Sequence, residues 1–423
     1  MTETQPRPTL LRGATLIDGS GANPLPDSAV LIEGERITWT GPAAAAVAPP
    51  GTVEIDVRGK TVMPGLIDCH DHLVHTGFDV MQRARSPLSL TMMKIADNLR
   101  VTLDAGITTV RDAGGLDIGF KMAVEDGIIP GPRLVLGLSI LSRTGGIADP
   151  RMRSGNVLEF MELPGLPSPV RDGVEECRRG VREVIHAGAD WVKCASTGGV
   201  SSPTLGPVDA ALTYDELKVI ADEAHMRDKR VFVHAYGGQG LVDAVAAGID
   251  CVEHGAYLCR HPEALAQMAS EGFWLVPTFM VIKLHSERGT PWAQRKATDM
   301  LDDHRRTLEQ AMLAGIPIAM GTDAGGYGHG HNAVELALLV ENGMTPMRAI
   351  VASTSDAARL LEMDADIGTV EAGKYADLLA IDGDPLADIT MLDRRECIQL
   401  VMKGGQTYRN DLSTTPAPVP ASV

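Results

Sequence analysis

The sequence predicts an α/β protein: a TIM-like (β/α)8 barrel carrying a small β-sandwich built from both chain ends. Three observations predict it. Short apolar, β-branched runs alternate with helical patterns through the middle of the chain, as they do in parallel α/β architectures. Those runs end repeatedly in His, Lys or Asp, and the chemistry of such barrels gathers at the C-terminal strand ends. Both flanks switch to strand-and-turn patterning.

In chain order, residues 8–60 hold Thr9-Leu-Leu-Arg-Gly-Ala-Thr-Leu-Ile-Asp18, Ala29-Val-Leu-Ile-Glu33 and Arg36-Ile-Thr-Trp39, separated by Gly, Pro and Asp, and read as antiparallel strands. Eight runs then read as barrel strands: residues 62–68, 108–112, 133–138, 191–195, 231–234, 251–254, 274–278 and 316–322. Helical patterns lie between them, for example over 90–105, 175–187 and 214–227. The last is opened by Thr213 with Glu216 three residues on, a capping box. Gly106, Gly188, Gly248 and Gly315 stand where helix C-caps fall. The stretch 142–169, rich in Gly, Pro, Arg and Met, follows the third strand and reads as a lid or binding loop. Residues 367–409 return to strands, and 413–423, rich in Pro and Ala, read as disordered. The expected domains are 1–60 and 361–410 for the two parts of the sandwich, 61–360 for the barrel and 411–423 for the tail.

Composition excludes several classes. A net charge of −17 argues against nucleic-acid partners, whose phosphates need a basic surface. No apolar stretch has the length to span a bilayer, and the N-terminus shows no apolar signal-peptide core. The six cysteines, Cys69, Cys177, Cys194, Cys251, Cys259 and Cys397, form no C-x-x-C pair and read as reduced thiols of a cytoplasmic protein.

The strand ends carry the chemistry. Strand one ends in His70-Asp-His72, and residues i and i+2 of a strand project from the same face, so both imidazoles stand together as metal ligands. Strand four supplies Lys193, strand five His234, strand six His254 and strand eight Asp323. A charged lysine at a buried strand end is costly unless neutralised. A two-metal site accounts for all six: two divalent ions roughly 3.5–4 Å apart need an anionic bridge and support a bridging hydroxide nucleophile. Desolvation lowers the lysine pKa, and the free amine adds carbon dioxide to become a bidentate carbamate.

These motifs resemble the amidohydrolase superfamily: Met63-Pro-Gly-Leu-Ile-Asp-Cys-His-Asp-His72, Val192-Lys193, His234-Ala235, Val252-Glu-His-Gly255, Gly321-Thr-Asp-Ala-Gly325 and the flank Gly368-Thr-Val-Glu-Ala-Gly-Lys-Tyr-Ala-Asp-Leu-Leu-Ala380. The resemblance implies that His70, His72 and Asp323 hold one metal and that His234 and His254 hold the other. It further implies that carbamylated Lys193 bridges them, that zinc is the usual metal, that Asp323 shuttles protons and that the protein is a homo-oligomer. Lys193-Cys-Ala-Ser-Thr-Gly-Gly199 and His234-Ala-Tyr-Gly237 resemble a narrower group that cleaves the amide between an acyl group and a C-terminal amino acid. That group includes carboxypeptidase-like dipeptidases acting on Xaa-Pro and Xaa-Arg/Lys, and amidohydrolases that split ochratoxin A into ochratoxin α and phenylalanine. One departure stands out: the loop after strand three reads Thr144-Gly-Gly-Ile-Ala148 where the group often has Thr-Gly-Gly-His-Gly.

The small-molecule amide or dipeptide substrate this implies needs contacts away from the metals. Tyr236, His285, His329, His331 and Arg143 are the candidates, with Met92, Met93, Met152 and Met161 as apolar ones. A cyclic-amide hydrolase of the hydantoinase or dihydroorotase kind would keep the same ligands. A deaminase is disfavoured because Gly237 occupies the place of its catalytic glutamate, and a non-catalytic scaffold because all six ligands are present.

Overall fold

A computed structural model of the chain describes residues 7–75, 77, 85–157 and 165–412. The tail expected to be disordered and Met161 lie outside the described residues. Seven barrel strands run parallel in chain order: Leu66–Asp71, Ile107–Asp112, Arg133–Leu136 continued by Ile140–Leu141, Val192–Ala195, Val231–Ala235, Cys251–His254 and Trp274–Val276. The third is broken because Leu138 takes a left-handed φ of 58°, so its first half pairs with strand two and its second half with strand four. Residues 316–322 close the barrel without forming a ladder. Ala319 N–H donates to Leu275 O at 3.1 Å on one side, and Cys69 N–H donates to Met320 O at 2.9 Å on the other. Pro317 brings no N–H to this strand.

The run expected as one strand over 62–68 divides at Gly65. Thr61–Pro64 pairs with the flanking strands Thr9–Leu16 and Leu378–Ile381, whereas Leu66–Asp71 enters the barrel. The hydrogen bonds change partner between neighbours: Gly65 N–H donates to Asp377 O, and Leu66 N–H to Gly106 O. Only glycine fits there, since a Cβ would lie 2.2 Å from Thr108 Oγ1. Strands from both chain ends join in one eight-stranded sheet, and its inner side chains, including Leu11, Val30, Ile37, Val62, Leu378 and Leu400, form one apolar cluster. The barrel interior is filled by Ile67, Trp191, Phe232, Cys251 and Val276, a packed core rather than a pore.

Helices cover the barrel where the periodicity placed them, at Leu88–Asp104, Val174–His186 and Tyr214–His225, the last with both bonds of the Thr213–Glu216 capping box. A 24-residue helix, Pro291–Ala314, ends on Gly315, whose φ of 76° gives the left-handed cap. No helix among the described residues is long and apolar enough to cross a membrane.

Neighbouring helices are tied by a charge cluster. Glu223, whose side chain is fully buried, accepts from Arg182 Nε at 2.8 Å and also from Arg227 and Arg178. The Arg182 hydrogen bonds hold its carboxyl down to about 2, below the ordinary 4.5. A depressed carboxyl stabilises the fold above its unfolded value and loses that contribution as pH falls through its folded one. Glu223→Gln is therefore expected to destabilise the protein by about 1–2 kcal/mol near neutrality, the half-exposed arginines limiting the effect. The gap should close between about pH 4.5 and 2. Paired denaturation curves against pH check this; a gap that widens in acid contradicts it.

Candidate metal centre

The strand ends bring six polar groups to one mouth. His70 closes the buried first strand and His72 lies just past it. Asp323 reaches them because its left-handed backbone, φ 55°, turns the carboxylate inward while its N–H donates to His70 O at 2.7 Å. Asp323 Oδ1 lies 3.5 Å from His70 Nε2 and 3.3 Å from His72 Nε2, and the ligand atoms of the three residues lie within 4.8 Å of one another. His254, at φ 70°, places its Nε2 2.8 Å from His234 Nδ1, and its ring centroid is 5.1 Å from that of His70. Thr278 is likewise left-handed, at φ 53°. Non-glycine residues in this region cost about 1–2 kcal/mol each, so backbone strain is concentrated at the mouth.

Each imidazole is oriented from behind. His72 Nδ1 donates to Gly114 O at 2.9 Å and His234 Nε2 to Gly198 O at 3.1 Å. In the neutral rings these bonds leave lone pairs on His72 Nε2 and His234 Nδ1, both aimed into the mouth. His254 Nδ1 meets Thr278 Oγ1 at 2.7 Å, and His70 Nδ1 meets Glu253 Oε2. Lys193 Nζ is buried, has no hydrogen-bond partner among the described residues and stands 4.6 Å from the centroid of Phe232. Burial lowers its pKa. Burial, aided by the Lys193 charge, lowers His70 and takes His234 to about 3, while burial and His234 lower His254. Burial alone would raise Asp323, but His70 and His72 hold it well below the carboxylate range. His72 shifts the other way: burial would lower it, but the Asp323 carboxylate raises it to about 8. Without a metal the site is thus an anion paired with His72, beside three neutral imidazoles and an orphaned amine. Such a donor set fits divalent metals.

Sequence reading missed the buried groups behind these ligands. Glu253 shares its carboxylate between His70 and Arg111, whose Nη2 is 2.7 Å away, and neither side chain of that pair is exposed. Asp68 accepts from His70 N–H at 3.0 Å, Thr322 Oγ1 at 2.6 Å and Asn332 Nδ2 at 2.7 Å, tying strand one to strand eight. Glu335 accepts from the N–H groups of Phe279 and Met280 and so caps the helix Phe279–Arg288 after strand seven. The adjacency of Glu253 to His254 was the only local signal.

A cavity of about 240 Å³ opens over the candidate metal centre. Its walls include Ile140, Ile147, Leu166 and Val200, with Tyr236 and His285. Tyr236 stacks on His254 at 4.7 Å between centroids. Three expected substrate contacts fall elsewhere. His329 is drawn behind strand one by His75 O at 2.8 Å and Asp71 at 3.4 Å. His331 is exposed and faces Asp393 at 3.4 Å. Arg143 lends its charge to Asp172, and among the described residues no lysine or arginine lines the cavity. Met92, Met93 and Met152 do not line it either, and Met93 and Met152 are exposed. Cys69, Cys194 and Cys251 are buried free thiols.

A parallel barrel with these groups at its C-terminal mouth is an arrangement suited to metal-assisted hydrolysis. The chain belongs to the amidohydrolase family, which matches residues 61–408. Among characterised proteins it is similar to ochratoxinase of Aspergillus niger, with 32% identity over 428 aligned positions, 95% of this chain and 86% of that protein. The crystal structure of A. niger ochratoxinase superposes with a TM-score of 0.85 at 29% identity, covering 96% of each chain. A Xaa-Pro dipeptidase with methionine bound in its active site superposes at 0.84 with 30% identity, covering 95% of this chain and all of that one.

Proposed function

We propose that this chain is a binuclear metal-dependent amidohydrolase that cleaves the amide joining an acyl group to a C-terminal amino acid, as in splitting ochratoxin A into ochratoxin α and phenylalanine. The observation that carries it is the convergence of His70, His72 and Asp323 beside His234 and His254, with the buried amine of Lys193, which has no hydrogen-bond partner among the described residues. In this reading His70, His72 and Asp323 would hold one ion and His234 and His254 the other, with Lys193 serving both. The Lys193 amine bonds to the carbon of carbon dioxide and loses a proton, leaving a carbamate. When bound, the ions, zinc by preference, lower the pKa of water and polarise the substrate carbonyl.

The chain's own residues do the rest. Asp323 Oδ1, between two imidazoles, takes the proton of the attacking water and returns it to the leaving nitrogen. Burial raises the Tyr236 pKa well above its ordinary value, so its hydroxyl stays a donor for a substrate oxygen. His285, on the opposite helix, is a second polar contact. The aliphatic walls at Ile140, Ile147 and Val200 receive an apolar substituent and exclude water.

Ochratoxin A, N-acyl-phenylalanines, Xaa-Pro and Xaa-Arg dipeptides and hydantoin, each offered to zinc-loaded protein and followed by mass spectrometry, test this. Release of a C-terminal amino acid is expected. Cleavage of ureides alone would reassign the chain to cyclic-amide hydrolysis. Exhaustive chelation should abolish turnover, by about 100-fold or more, and zinc should restore it at about two ions per chain. Full activity in metal-free protein sinks the proposal.

A further inference from the structure

The segment after the fourth barrel strand folds back on itself. Thr197 bridges Ala210 antiparallel, and Gly198 N–H donates to Asp209 O at 3.0 Å. Gly198 permits the return, since a Cβ there would stand 2.3 Å from Gly206 O. The outgoing edge of this flap, Gly199-Val200-Ser201, lines the cavity over the metal centre. Its tip, half-buried to exposed, carries carbonyls with no strand to pair with, so side-chain donors or water must satisfy them.

One side chain supplies three of them. Lys296 Nζ donates to the carbonyls of Ser202 at 2.6 Å, Leu205 at 3.2 Å and Gly199 at 3.3 Å. Trp292 Nε1, one turn earlier on the helix Pro291–Ala314, donates to Ser201 O at 3.2 Å. The same helix is fixed further along, where Thr307 Oγ1 donates to Ala256 O at 3.1 Å, two residues beyond His254. Lysine has three N–H donors and no acceptor. Here all three point at neutral carbonyls of one loop, an arrangement that a solvent-facing or salt-bridging lysine does not need.

We propose that Lys296 is a positioning residue that holds the 197–210 flap against the barrel mouth and so fixes the Gly199-Val200-Ser201 wall of the substrate cavity. Without the ammonium group the three carbonyls satisfy themselves with water, the tip lifts and substrate loses a wall. His70, His72 and Asp323 stay in place, and Gly198 is still held by its bond to Asp209. The kinetic consequence rests on the amide-hydrolase reading; the structural one does not.

Lys296→Met and Lys296→Arg, made in the full zinc-loaded chain, test it. Lys296→Met should raise KM by about 10-fold or more with kcat within about threefold, the signature of lost uniform binding, while Lys296→Arg stays within about threefold on both. Metal content should be unchanged. Hydrogen exchange supplies an arm that needs no substrate: amides over 199–206 should exchange about 10-fold faster or more in Lys296→Met, with the helix Tyr214–His225 unaffected. Unchanged exchange in the flap overturns the proposal, as does unchanged KM in an active variant. Loss of protection throughout the molecule also overturns it, since the role would then be general stability. Faster flap exchange in a protein that hydrolyses none of the amides upholds the clamp and refutes the amide-hydrolase reading.

Discussion

Lys193→Ala is expected to lose about 1000-fold or more in kcat/KM, because the group that would join the two halves of the metal site is removed while the fold is left intact. The lysine is 1% exposed and its Nζ has no hydrogen-bond partner among the described residues. It lies over the face of Phe232, and the nearby carboxylate of Glu253 is already committed to Arg111 and His70. An ammonium ion kept there would cost several kcal/mol, and burial lowers its pKa accordingly. A neutral amine is the form that adds carbon dioxide. The mutant should bind less than the full complement of metal, and added formate, acetate or propionate should restore part of the activity by entering the space of the lost side chain. Full activity in unrescued Lys193→Ala would remove the bridging role. Loss of activity without rescue, in a protein that keeps its metals, would assign the lysine to another task.

Local rules made the strand-end residues legible. His70 and His72 are two apart on a strand, and Lys193, His234 and His254 close short apolar runs, so alternation and run length place them without knowledge of the fold. What was not legible depends on distant partners. Gly65 reads as the middle of a strand until Asp377 and Gly106 show that its two neighbours belong to different sheets. Glu253 reads as strand filling because its partners His70 and Arg111 are 183 and 142 residues away. The left-handed turns at His254, Thr278 and Asp323 occur at residues that carry no glycine signal. His329 and His331 are near Asp323 in the chain, but Asn332, pulled down onto Asp68 and Asp71 at 2.7 and 2.9 Å, turns that loop away from the cavity.

Arg111→Met is expected to strike stability and metal binding together, and the reason lies in that unread carboxylate. Arg111 Nη2 pairs with Glu253 Oε1 at 2.7 Å, its Nε donates to Cys69 O at 2.6 Å, and its guanidinium lies 4.2 Å from the centroid of Phe232 and 4.9 Å from that of Trp191. Burial would raise the Glu253 pKa, but Arg111 and His70 hold it down to about 2. Removing one member of a buried pair strands the other, at about 3–5 kcal/mol. Glu253 can escape that cost by taking up a proton. A protonated carboxyl facing His70 is a donor, which turns His70 Nδ1 into an acceptor and moves the ring proton to Nε2, the nitrogen that points at Asp323. The loss should therefore appear as a lower denaturation midpoint and as zinc affinity reduced about 10- to 100-fold, the range for lost outer-sphere partners. In Arg111→Met/Glu253→Gln no charge is stranded, so the double mutant should be more stable than the sum of the single changes implies, with a coupling of about 1–3 kcal/mol. Its glutamine oxygen still accepts from His70 Nδ1, so zinc affinity should recover with it. Additive effects on stability, or Arg111→Met with wild-type zinc affinity, would show that Glu253 orients His70 without needing its arginine.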